Sequence, residues 1–204
     1  LMLIQWFAGY LALMFIYHFL LFSFAKLRWI ETTQTKLAQM RMLWIGQIRS
    51  KNSILAVQTL RNWNMSATFL ASASLLIASG LLSVTFNNHL DGAIHITELD
   101  SASYKLFIVA FTFVIAFLNF SLCLRAFNHS GYLSEVSATA EHSDEKISRM
   151  LCRILASGAR HYTFGMRCIY LSMPLILWLF GDIWFLVGVA VLLVFLLYVD
   201  VFSA

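Results

Sequence analysis

"FGMRCIYLSMPLILWLFGDIWFLVGVAVLLVFLLYV" runs from Phe164 to Val199. As one helix it would be about 54 Å long, whereas the hydrocarbon of a bilayer is about 30 Å thick. One crossing cannot hold it. The interruption belongs at "LFGDIW", Leu179–Trp184, where Gly181 and Asp182 break the apolar run. The stretch therefore predicts two spans, at about 162–180 and 183–199, joined by a very tight turn. Pro174 lies in the first of them, where it can kink a helix.

Working outward, three more runs reach the roughly 20 apolar residues that a spanning helix needs. They lie at about 1–25, 63–86 and 104–127, so the expected fold is an all-α membrane protein of five transmembrane helices. The first run has neither a basic residue before it nor a small-residue cleavage site after it, and so reads as an anchor rather than a cleaved leader. The start at Leu1 and the stop at Ala204 suggest that short pieces lie beyond the ends. Composition agrees with lipid as the solvent: 60% of the 204 residues are hydrophobic and 12% charged, against about 25% charged in soluble domains. A single proline and the absence of repeats or linkers point to one bundle domain over 1–204.

Charge orients the spans. Thirteen of the fourteen basic residues fall between spans one and two or between and beside spans three and four, with Lys105 the exception. Asp91, Glu98, Asp100 and Asp182 fall at the opposite side. Basic loops stay in the cytoplasm, so the expected topology has the amino end outside and the carboxyl end inside.

A cytoplasmic extension should complete the bundle, from amphipathic helices at about 34–62 and 143–161. Leu37, Met40, Trp44 and Ile48 follow helical spacing among Lys36, Arg41 and Arg49. Such a helix either lies in the interface or packs on its own bundle. Its end, residues 52–62, should extend span two, because no breaker intervenes. Ser143 is a candidate N-cap for the second helix, with Asp144 and Glu145 in its first turn. Ile147, Leu151, Ile154 and Gly158 form its apolar stripe, and it should run straight into span four.

Polar and small residues mark candidate contacts. Ala67, Ala71, Ser74 and Ala78 recur at i, i+4, i+7 and i+11, a packing face within the chain or between copies. In "LNFSLCLRAFNHSGYL", Leu118–Leu133, Arg125 falls near the inner boundary and shares a side with Ser121 and Asn128. Asn119 lies deeper, where an amide seeks a neighbouring helix. With Arg160 and Arg167 on span four, Arg125, Asn128 and His129 form a basic inner rim. That rim either snorkels to phosphate or contacts an inner-leaflet lipid headgroup or small anion.

His18, His129 and His161 all fall toward the inner side, and two facing imidazoles could hold a haem. In the outer loop, His89, Asp91, His95, Glu98 and Asp100 match no strong metal signature, and a solvated acidic loop is the expected reading. Cys123, Cys152 and Cys168 show no pairing motif and read as buried small hydrophobes. No metalloprotease, nucleophile-elbow or phosphate-loop motif occurs, and no paired carboxylates sit within a span.

Three segments together resemble one family. They are "RNWNMSAT" followed by "FLASASLLIASGLLS" in span two, "FSLCLRAFNHSGYL" ending span three, and "GMRCIYLSMPLILWLFGDIWF" in the last hairpin. The chain is similar, from about residue 10 to 199, to the uncharacterised integral membrane family catalogued as domain of unknown function 599. Arg61, Arg125, Phe127, Asn128, Arg167, Tyr170 and Trp178 match its pattern. Gly181–Asp182 departs from it, since proline is common at that turn. The resemblance implies no activity, cofactor or catalytic residue.

The resulting expectation is a non-enzymatic integral membrane scaffold or accessory subunit. It would assemble as a homo-oligomer or within a larger membrane complex, in the bacterial inner (cytoplasmic) membrane. Its partners would be the lipid bilayer, with anionic lipid at the cytoplasmic face, and no nucleic acid. No metal or cofactor is expected. The alternatives are a small-ion or small-anion channel or transporter, and a haem-binding electron-transfer subunit.

Overall fold

A computed structural model describes residues 2–26, 33–48, 53–90, 101–139 and 145–202. Six α-helices follow in order: α1 (Met2–Lys26), α2 (Thr33–Ile48), α3 (Ser53–Leu90), α4 (Ser101–Thr139), α5 (Glu145–Leu177) and α6 (Asp182–Leu197). A 3₁₀ turn, Trp178–Phe180, ends α5, and a π turn, Tyr198–Phe202, ends α6. Among the described residues, four helices are long and apolar enough to cross a membrane: Ile54–Asn87, Ser101–Ser134, Lys146–Phe180 and Asp182–Val201. In α1 the apolar run Gln5–Leu21 is shorter.

Helix α4 is the spine, packed along α3 on one side and α5 on the other. Small residues set those contacts. Ala67, Ala71, Ser74 and Ala78 on α3 are all buried, as are Ala110 and Ala116 on α4. On α5, a Cβ at Gly165 would come within 2.8 Å of Phe120, and one at Gly158 within 2.7 Å of Phe127. The small-residue stripe of α3 thus serves contacts inside the chain.

Polarity is inverted relative to a soluble protein. Phe69, Leu76, Ile183 and Val194 are each at least 70% exposed, and an apolar surface of this extent suits contact with a bilayer. Hydroxyls on these helices bond to their own backbone: Ser74 to Leu70 O, Thr85 to Leu81 O, Thr112 to Ile108 O and Ser121 to Phe117 O. That leaves fewer polar groups unsatisfied in hydrocarbon.

The α5–α6 hairpin breaks at Gly181, where φ is +133° and ψ 168°, a conformation essentially restricted to glycine. Trp178 organises the turn. Its carbonyl accepts from Gly181 N (3.2 Å) and from Lys105 Nζ (3.0 Å), while its indole Nε1 donates to Asp182 Oδ1 at 2.9 Å. The Lys105 ammonium also lies 4.9 Å from the centre of the Trp178 ring. Lys105 is therefore a structural strut of the hairpin.

Two expectations need correction. The helix expected at 34–62 is not continuous: α2 stops at Ile48, while residues from Ser53 onward belong to α3, as expected for 52–62. Residues 49–52 lie outside the described ones. Span three, expected to end at about 127, continues as helix beyond that point. It stays helical to Thr139, because the segment has no proline and Ser130 and Ser134 bond back to Ala126 O and Gly131 O. Helix α5 continues through Pro174 to Leu177. The expected N-cap Ser143 and the loop residues Asp91, His95, Glu98 and Asp100 lie outside the described residues, as does the side chain of His89.

Candidate functional site

At the end of the bundle opposite the Gly181 turn, α2 lies across α5 and the π turn. Between α2, α3, α5 and the end of α6 remains a cavity of about 710 Å³. Its walls are apolar and aromatic, with Leu37, Met40 and Trp44 from α2, Trp63 from α3, and Phe127 from α4. Leu155, Tyr162, Met166 and Tyr170 from α5 and Leu196 from α6 complete them. Trp44, Trp63 and Phe127 form a chain of rings with centroids 5.5 Å apart at each step. Polar groups are few: Thr59, Ser66, Thr163, Arg41, Arg167 and Asp200.

The deep wall of the cavity is an ion pair. Arg167 Nη2 donates to Asp200 Oδ1 at 2.6 Å, and both side chains are largely buried. The π turn helps place this carboxylate: its wider winding brings Asp200, along with Val199, to the cavity wall. Helix α1 closes the cluster from the far side. Tyr17 OH donates to Asp200 Oδ2 at 3.0 Å, and Arg167 Nη1 meets His18 Nε2 at 2.5 Å.

This pairing fixes the state of His18. A guanidinium can only donate, so Nε2 accepts, and Nδ1 carries the proton that it gives to Met14 O at 2.7 Å. His18 is thus a neutral imidazole. By helical rise, Arg167 lies about 21 Å from the Gly181 turn, well inside a hydrocarbon layer of about 30 Å. A lone charge there would be costly, and the Asp200 carboxylate compensates it.

Arg41, at the α2 wall, is in a different situation. It is half-buried, and burial pushes its guanidinium below the usual range; the nearby like charge of Arg160 pushes in the same direction. Arg160 itself is exposed.

The residues expected at the inner rim do not form one site. Arg125 and His129 are exposed on α4, and Asn128, also exposed, accepts from Asn64 Nδ2 at 2.8 Å. Arg167 alone of that set lines the cavity. The three histidines do not converge either: His18 joins the Arg167 cluster, while His161 Nδ1 lies 3.3 Å from Asn119 Oδ1 across α4 and α5. That contact supplies Asn119 with its neighbouring helix. Among the described residues, no three histidine, cysteine, aspartate or glutamate side chains gather as a metal site. Cys123, Cys152 and Cys168 are free.

Sequence reasoning passed over Tyr17, Arg41 and Asp200 as partners in a site, and considered His18 only as a haem ligand. One signal was present: Asp200 is the only carboxylate after the hairpin turn residue Asp182, and it ends an apolar helix. An ionisable group there calls for a partner of opposite charge.

No curated protein and no solved structure matches the chain. Residues 6–204 match a family model described as "Protein of unknown function, DUF599". That match covers nearly the whole bundle, from the first turns of α1 through the π turn that carries Asp200, and so the chain belongs to the DUF599 family.

Proposed function

We propose that this chain is a non-enzymatic integral membrane protein that acts by binding, holding an amphiphile in the cavity beneath α2. The observation that carries this reading is the cavity itself. Its volume of about 710 Å³ lies within the range of small-molecule sites, about 300–1,000 Å³. Its walls suit an apolar chain, and its few polar groups suit a head.

In this reading the protein crosses the membrane five times, with α1 as the first span, the amino end outside and the carboxyl end in the cytoplasm. The clustering of cations away from the Gly181 turn supports that orientation. The bacterial inner membrane is the proposed location. The accessory-subunit role fits a binding protein that presents its ligand to partners. Because the α3 small-residue stripe is used within the chain, association would involve the exposed apolar faces instead.

Extraction into lipid nanodiscs followed by native mass spectrometry tests the reading. The wild type should carry an additional mass of amphiphile size. Ala159→Trp, which places an indole in the cavity, should lose it. A wild type that arrives empty from several gentle extractions would contradict the binding role.

A second reading, transport of a small ion or anion, is favoured by one observation: the Arg167–Asp200 pair joins two helices of membrane-spanning length and lines the cavity. Flux into proteoliposomes above that of empty vesicles, abolished by Asp200→Asn, would support it. Equal flux in the two would remove it.

A further inference from the structure

Two cations line the cavity, Arg167 and Arg41, and a third, Arg160, lies exposed one residue beyond the lining Ala159. Arg167 is deep, about 21 Å from the hairpin turn, and its charge is balanced by Asp200. Arg160 lies about 31 Å from the same turn, one hydrocarbon thickness away and therefore at headgroup level. Arg41 lines the cavity from α2, close enough to Arg160 for their charges to repel. Among the described residues, neither Arg41 nor Arg160 has an acidic partner. The same level is marked by the Trp44–Trp63 pair, and tryptophan prefers the membrane interface. A half-buried guanidinium without an acidic partner, Arg41, thus stands in the wall of an apolar slot, with the exposed Arg160 adding positive charge nearby.

We propose that the cavity takes an anionic lipid from the surrounding leaflet, with its headgroup held by Arg41 and Arg160 and an acyl chain directed toward Tyr170 and Leu196. The proposal rests on the binding reading above and names its ligand. Charge complementarity selects this occupant. A phosphodiester accepts from guanidinium forks, whereas the choline of a zwitterionic lipid would bring a third cation to the pair. The apolar walls require a chain, which a free phosphate lacks. Arg167 is not the anchor, because its Nη2 is paired with Asp200 and its Nη1 with His18.

The test uses the full chain in detergent. It is titrated with phosphatidylglycerol and phosphatidylcholine of identical chains, and retention is read by native mass spectrometry, with size-exclusion chromatography as the check on folding. The wild type should prefer phosphatidylglycerol. Arg41→Gln and Arg160→Gln should each reduce that preference about fivefold, and the double variant about twenty-five-fold. Arg41→Lys should keep most of it, and Arg125→Gln, exposed on α4, should leave it unchanged.

Equal retention of both lipids by the wild type would overturn the anionic assignment and leave the binding reading standing. So would an unaltered preference in the folded double variant. Displacement of phosphatidylglycerol by inorganic phosphate at matching concentrations would overturn the lipid source in favour of a free anion. Retention of neither lipid, with Ala159→Trp indistinguishable from wild type, would remove the binding reading and this proposal together.

Discussion

Asp200 and Arg167 lie 33 residues apart, on the π turn and α5, and each makes the other tolerable in hydrocarbon. Removing one partner leaves an uncompensated buried charge, so Asp200→Asn should destabilise the protein by about 3–5 kcal/mol. Replacing both, as in Arg167→Met/Asp200→Leu, should cost much less, since an apolar pair needs no compensation. Denaturation of the detergent-solubilised protein measures both. A double variant as unstable as the single one would show that the pair's geometry, rather than its charge balance, holds the cluster. At Gly181, a Cβ meets no neighbouring atom, so any penalty comes from the backbone alone. Gly181→Ala should therefore cost about 1–3 kcal/mol through the φ of +133°. Gly181 was legible as a break because the apolar run around it is too long for one crossing. The partnership of Asp200 with Tyr17, 183 positions away, was not, because no local pattern connects residues so distant.

Among the elements, the α4–α5 contact is set by glycines facing buried rings. Gly165→Val would push a side chain into Phe120, which is fully buried and has little room to yield. A loss of about 1–3 kcal/mol is expected, with thermal unfolding as the readout. An exposed glycine offers the contrast: nothing lies within 4 Å of a Cβ at Gly80, so Gly80→Ala should be neutral or slightly stabilising. The continuity of α5 from Glu145 into the membrane was readable from its stripe of Ile147, Leu151, Ile154 and Gly158. The extension of α4 to Thr139 was obscured by Asn128, His129, Ser130 and Gly131, whose types suggest a turn. The serines there bond back to their own helix instead, and residue type does not disclose which partner a hydroxyl chooses. The π turn at Tyr198–Phe202 was equally hidden, because no residue pattern marks one extra residue per turn.

For the molecule as a whole, two features matter: the charge difference between its ends and the gap beneath α2. Orientation is tested by labelling. In a background lacking native thiols, a cysteine at Ser143 should react with a membrane-impermeant reagent only after the cytoplasmic face is opened. Reaction from the outer face of intact cells would invert the topology. The four helices of spanning length were readable in the sequence because a bilayer sets a minimum apolar length for every crossing helix. The cavity was not, since a gap belongs to the arrangement of α2, α3, α5 and the π turn rather than to any one of them. Its occupancy is the central claim, and photo-crosslinking addresses it most directly. Phosphatidylglycerol carrying a diazirine along its acyl chain would be incorporated into vesicles with the protein, and adducts mapped by peptide mass. The account predicts adducts at the cavity-lining residues Met166, Tyr170 and Leu196, reduced in Ala159→Trp. Adducts confined to outward-facing residues such as Phe69, Leu76 and Val194, with none in the cavity, would contradict it.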